Sequence, residues 1–155
     1  MNYADTGFLC SLYAPDAHTA KSVGAMKRQT DPLAFTWLHQ LEFRNALRLR
    51  VFRKEITVKQ RDASLNLLLA DLAGGIFEHA SPPLTEVMVE AERLSALHSE
   101  KIGTRSLDIL HVAAALVLGA RIFLTFDKRQ ASLAKAAGLK IPIPLKTHHS
   151  GNTIS

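Results

Sequence analysis

Arg105 to Asp127, RSLDILHVAAALVLGARIFLTFD, decides the fold. From Ser106 to Leu118 the residues are apolar almost all round, which predicts a helix buried in the core, ended by Gly119. The apolar run Ile109–Ala120 contains His111 and lies between Asp108 and Arg121. It falls well short of the roughly 20 residues that a membrane-spanning helix needs. Arg121–Thr125, RIFLT, is then too short for a helix and too apolar for a surface turn, so it reads as a buried strand. A buried helix feeding a buried strand is the repeating unit of an α/β protein with a parallel sheet.

Working outward, the same alternation continues. Residues 2–4 form a brief strand running into a helix over Thr6–Tyr13, stopped at Pro15. A second helix over Ala17–Gln29 ends before Asp31-Pro32, where the residue preceding proline leaves the helical region. Leu33–Trp37 reads as a buried strand and His39–Lys54 as a helix with Leu38, Leu41, Ala46, Leu49 and Phe52 near one face. Trp37 and Phe43 read as core. Thr57 caps a helix to Leu72 that ends at Gly74-Gly75. Ile76–His79 is an edge strand, Leu84–Ser99 a helix, Lys128–Ala137 a helix ended by Gly138. Lys140–Ile143 is a last strand that Pro142 and Pro144 push to an edge. The expectation is one domain over residues 1–145, a three-layer α/β/α sandwich around a mainly parallel sheet, followed by a polar tail over 146–155.

The 155 residues carry a net charge of +5, which favours a polyanionic partner. The single cysteine, Cys10, cannot form an internal disulfide. With no signal-peptide pattern at the start, a cytoplasmic protein without membrane attachment is expected.

Against that basic background, four acids stand in unusual places. In open parallel sheets ligands bind beyond the carboxyl ends of the strands. Asp5 follows the first strand and Asp127 follows RIFLT. Asp108 lies in the first turn of the apolar helix, and Glu42 shares a face with Leu38, Ala46 and Leu49. Each has a purely structural reading: Asp5 and Asp127 as N-caps, the latter with Gln130 in a capping box, Asp108 as a helix-dipole partner, Glu42 beside Arg44 or Arg48. Gathered together, carboxylates raise one another's pKa, and a divalent cation reverses that cost. An all-oxygen set suits Mg²⁺ or Mn²⁺, and one cysteine with scattered histidines gives no zinc spacing. His111 reads as a core or supporting histidine rather than a ligand.

Asp5-Thr6 after the first strand, Glu42 in a mid-chain helix, the stretch from Arg105 to Asp127 and the trailing LAKAAGLKI together resemble the PIN-domain family. Within it, the resemblance is to the VapC-type toxins of bacterial toxin–antitoxin pairs, over Asp5 to about Ile143. It implies a metal-dependent ribonuclease using Mg²⁺ or Mn²⁺. Asp5, Glu42, Asp108 and Asp127 match the four acidic positions, and Thr125 a small polar residue near the site whose hydroxyl would meet substrate or bound water. Asp5, Asp108 and Asp127 would ligate the metal; Glu42 would ligate it too or orient the attacking water. The resemblance further implies a cognate antitoxin and a homodimer. Gly7 departs from the pattern, where a serine often follows Asp-Thr.

Phosphate contacts need positive charge, and Arg44, Arg48, Lys128 and Arg129 are the candidates for binding RNA. The alternatives are a non-catalytic PIN-like RNA-binding module and a phosphoryl-transfer α/β protein with an acidic Mg²⁺ site. A phosphatase of the latter class wants an Asp two residues after the first, where this chain has Gly7.

Overall fold

The computed structural model describes residues 1–145; the polar tail expected over 146–155 lies outside the described residues. In chain order the elements are β1 (Tyr3–Ala4), α1 (Thr6–Tyr13), α2 (Thr19–Met26), β2 (Leu33–Phe35), α3 (Trp37–Phe52), α4 (Val58–Ala73), β3 (Phe77–His79), α5 (Leu84–Ile102), α6 (Ser106–Val117), β4 (Phe123–Leu124) and α7 (Lys128–Ala136). β1 pairs with β4 and β2 with β3, both parallel. Isolated parallel bridges, Asn2 to Leu33 and Ile122 to Lys140, link these pairs side by side in the order β3-β2-β1-β4-Lys140.

Alternation along the strands builds the three layers. Successive side chains on a strand point to opposite faces. Tyr3, Ala34 and Phe123 pack with α5, α6 and α7 around Val87, Leu94, Val112 and Leu133. Their neighbours Ala4, Leu33, Phe35 and Leu124 pack on the other face with Phe8, Leu9, Phe43, Leu47 and Leu68. Both faces of the sheet are therefore covered by helices, as the apolar strands require.

The predicted strand over Lys140–Ile143 shrinks to one bridging residue, because Pro142 and Pro144 have no N–H to give a ladder. The predicted apolar face of α3 is also corrected. Leu41, Leu49 and Phe52 are exposed, and the buried residues are Leu38, His39, Phe43 and Leu47. His39, Phe43 and Leu47 form the four-residue repeat that faces the sheet, so the helix is rotated from the expected setting. It also starts earlier, at Trp37, where the Thr36 N–H donates to His39 Nδ1 at 3.0 Å. Trp37 is not core: its ring stands at the surface, with Nε1 donating to the Pro82 carbonyl at 3.4 Å. The Thr57 cap is present, completed by Gln60. Gly119, at φ 68°, takes the left-handed turn that ends α6 and leads into β4. Among the described residues no helix is long and apolar enough to cross a membrane.

Candidate active site

The parallel register of β1 and β4 sets Tyr3 beside Phe123 and Ala4 beside Leu124, so the next residues, Asp5 and Thr125, leave the sheet side by side. Asp5 N donates to the Leu124 carbonyl at 3.0 Å, and Thr125 Oγ1 donates to Asp5 Oδ2 at 2.5 Å. The other oxygen, Asp5 Oδ1, caps α1 by accepting from Phe8 N at 2.7 Å. Asp127 does the same for α7, accepting from Gln130 N at 2.8 Å, while its own N–H donates to Thr125 Oγ1 at 3.0 Å. Both acids are N-caps and both line the same cavity.

That cavity, of about 270 Å³, is lined by Asp5, Glu42, Asp108 and Asp127, together with Arg105 and His111. The acids arrive from four elements: the ends of β1 and β4, the middle of α3 and the first turn of α6. Burial pushes the Asp5 carboxyl up to about 6, against the hydrogen bonds from Thr125 and Phe8 that favour its ionised form. Glu42 Oε1 lies 2.5 Å from His111 Nε2 and accepts from Thr6 Oγ1 at 3.3 Å. Tyr3 OH in turn lies 2.9 Å from His111 Nδ1. His39, fully buried, accepts at Nδ1 from Thr36 N and so presents Nε2–H to the Ala4 carbonyl at 2.6 Å. Burial holds it well below the usual histidine range, at about 3, and it stays neutral. Its role is to latch α3 onto β1, and that sets where Glu42 stands.

Thr125 lies deeper than the acids it adjoins. Its side chain is wholly buried beneath the acids, donating to Asp5 and accepting from the Asp127 amide, so it positions the carboxylates rather than facing the cavity. Arg44 and Arg48 lie on α3 and do not line the acidic cavity; Arg44 is half-buried and Arg48 exposed. Lys128 and Arg129 line an adjoining cavity of about 310 Å³ together with Arg105 and Asp127.

Sequence reasoning missed Arg105, and it cast Gln130 only as a capping-box partner of Asp127, whereas its side chain turns to α6. Arg105 Nε donates to Asp108 Oδ2 at 3.0 Å, and its other nitrogen is 3.9 Å from Asp127 Oδ2. Its place three residues before Asp108 was the available signal. Buried Gln130 donates from Nε2 to the Asp108 carbonyl at 3.2 Å, joining α7 to α6. A Cβ on Gly7 would stand 3.5 Å from Asp5 Oδ1, an ordinary contact, so no clash demands the glycine; it leaves the cavity open beside Asp5.

Among the described residues, no three His, Cys, Asp or Glu side chains close into a ready-made metal cage. The donor chemistry nevertheless fits one class of ion. Mg²⁺ binds through one or two carboxylates and keeps several waters, so an open, all-oxygen cavity suits it and the similar Mn²⁺, whereas zinc would want a closed His or Cys set.

The PIN-domain family model matches residues 3–136. The chain belongs to the PIN-domain family. This PIN domain is similar in fold to two solved structures. One is VapBC2 from Rickettsia felis bound to a DNA fragment from their promoter, with 15% identity, 91% of this chain and 97% of that chain covered, and a TM-score of 0.60. The other is FitAcB from Neisseria gonorrhoeae, with 14% identity, 91% and 96% covered, and a TM-score of 0.63. No curated protein matches the sequence. PIN domains are generally nucleases that use divalent metal ions.

Proposed function

We propose that this PIN domain is an Mg²⁺- or Mn²⁺-dependent endoribonuclease, the toxin of a VapBC-type toxin–antitoxin pair. The observation that carries the reading is the convergence of Asp5, Glu42, Asp108 and Asp127 on one cavity at the carboxyl ends of β1 and β4. Two similar folds come from structures named VapBC2 and FitAcB, which supports the choice of a toxin within the family.

In this reading Asp5, Asp108 and Asp127 hold the ion, directly or through water, and Glu42 joins them or orients the attacking water. The ion supplies a more acidic water and offsets negative charge on the scissile phosphate. Asp5 is held in place by Thr125 and the α1 amide, and Glu42 by His111 and Thr6. Arg105, largely exposed, neutralises Asp108 and Asp127 in the free protein and turns to a phosphate when substrate enters. Lys128 and Arg129 add phosphate contacts beside Asp127. Nothing in this chemistry uses the 2′-hydroxyl, so RNA as the substrate rests on the resemblance.

The partners of this reading are a cognate antitoxin and a second copy of the chain. The exposed apolar residues Leu84, Met88 and Val89 on α5 are the surface we assign to the second copy. On α1, Phe8, Leu9 and Tyr13 are core residues, whereas Leu12 reaches a surface cleft with Val23 and Met26.

The second reading is a non-catalytic RNA-binding PIN module, favoured by the guanidinium of Arg105 already paired within the acid cluster. One experiment separates the two: RNA cleavage with and without Mn²⁺ by the wild type and by Asp108→Asn. Cleavage that needs metal and is lost in the variant supports the nuclease; binding without cleavage supports the module.

A further inference from the structure

The acid-lined cavity does not stand alone. It shares Arg105 and Asp127 with the adjoining cavity, which shares Lys128 with a groove of about 710 Å³ between α7 and the segment after it. Lys128, Ser132 and Lys135 stand one and two turns apart along α7, on one face. They span about 10 Å of helix, and Lys140 faces them from the sheet edge. The floor is aliphatic, with Leu139, Ile141 and Ile143, and no carboxylate lines it among the described residues. None of the three lysines is in an ion pair among the described residues. Residues 146–155 carry no Asp or Glu that would neutralise them.

We propose that this groove is a subsite for the single-stranded RNA flanking the cut, with phosphates on Lys128, Lys135 and Lys140 and a base on the aliphatic floor. The inference rests on the ribonuclease reading for the cut and on the groove's own chemistry for the strand. Three ammonium groups without an ion-pair partner among the described residues, set over an apolar floor, suit a polyanion with flat apolar faces. An added peptide strand is disfavoured, because Pro142 and Pro144 deny the sheet edge its N–H donors. Continuity with the acid cavity through shared residues makes one strand long enough to occupy both.

The test compares full-length wild type with Lys135→Glu/Lys140→Glu on oligoribonucleotides of increasing length, extended on either side of a common cleaved core. KM for wild type falls as one side is extended. The double variant loses that gain by about tenfold, with kcat on the shortest substrate unchanged. In parallel, anisotropy with an uncleaved oligoribonucleotide shows weaker binding by the variant, and a log–log salt slope reduced by about 1.4, near 0.7 per lost contact. A length gain equal in both proteins, or unchanged affinity for the oligoribonucleotide, overturns the subsite. If neither protein cleaves any RNA, the nuclease reading falls, and the anisotropy arm still decides the groove.

Discussion

His111 Nε2 stands 2.5 Å from Glu42 Oε1, tying the buried helix α6 to the one carboxylate on α3. The ring is held from both sides. Burial pushes the Tyr3 hydroxyl far above its ordinary range, so it remains protonated, and it lies within hydrogen-bond distance of His111 Nδ1. On its other side the ring places Nε2 against the Glu42 side chain. The chain Tyr3–His111–Glu42 runs from the sheet to the mouth of the cavity and leaves Glu42 little choice of direction.

Replacing His111 by Leu is expected to lower kcat for RNA cleavage about 10- to 100-fold, the usual loss when a residue that orients a metal-site ligand is removed. The check is a double-mutant cycle. If His111 acts through Glu42, His111→Leu adds little further loss on a Glu42→Gln background, whereas independent, additive losses count against the link.

Asp5 predicts a pH signature in stability. Its folded pKa, about 6, lies above the ordinary 3.8, so its contribution is most favourable below about pH 4 and is lost as pH rises through 6. Asp5→Asn, which keeps a capping side chain, should melt higher than wild type at pH 7 to 8 in EDTA, by on the order of 1 to 3 kcal/mol. The difference should close below pH 4. Thermal melts across pH read it directly; a variant less stable than wild type at pH 8 would contradict the burial cost assigned to this carboxylate.

Divalent metal should reverse that cost. Mn²⁺ or Mg²⁺ at a hundred times its Kd should stabilise wild type by about 2.7 kcal/mol, and Asp5→Asn or Asp108→Asn should blunt the gain. Unchanged melting in millimolar metal for all three proteins would remove the ion from the proposal.

Arg105 contacts Asp108 and Asp127, and in the proposed metal-dependent reading it would compete with the ion for them. Arg105→Gln is therefore expected to bind Mn²⁺ more tightly in the absence of RNA, by a few-fold, while cleaving RNA less well. Titration calorimetry and steady-state cleavage on the same preparation measure the two effects. Weaker metal binding in Arg105→Gln would make the arginine a support for the acids rather than a rival of the cation.

The exposed apolar residues Leu84, Met88 and Val89 near the start of α5 give an assembly test. Wild type is expected to run as a dimer by light scattering, and Val89→Glu as a monomer with an unchanged melting profile at low concentration. Val89 is 73% exposed, so the new charge costs the isolated chain little.

Much of the architecture is legible in local pattern. Gly119 and Thr57 mark element ends through backbone geometry and a hydrogen bond reaching only three residues. RIFLT is apolar on both sides because β4 is covered on both faces. The setting of α3 was misread because Leu38, Leu41 and Phe52 look equally apolar in sequence. Which stripe is buried is decided by His39 bonding to Ala4 in a strand 35 residues away. The place of Thr125 is equally non-local: only the register of β1 against β4 reveals that its hydroxyl lies under Asp5.

Sequence alone placed Asp5 and Asp127 where a strand passes into a helix, and therefore at the carboxyl edge of a parallel sheet. Those outcomes depend on φ/ψ preference, capping and periodicity, interactions that reach only a turn or two. Tertiary structure alone decided their partners: Thr125 under Asp5 across 120 residues, His111 behind Glu42 across 69, and Arg105 between Asp108 and Asp127. Such contacts exist only after the sheet register and helix rotations are set by packing on both faces. That packing is a property of the whole chain, with no trace in any short stretch of it.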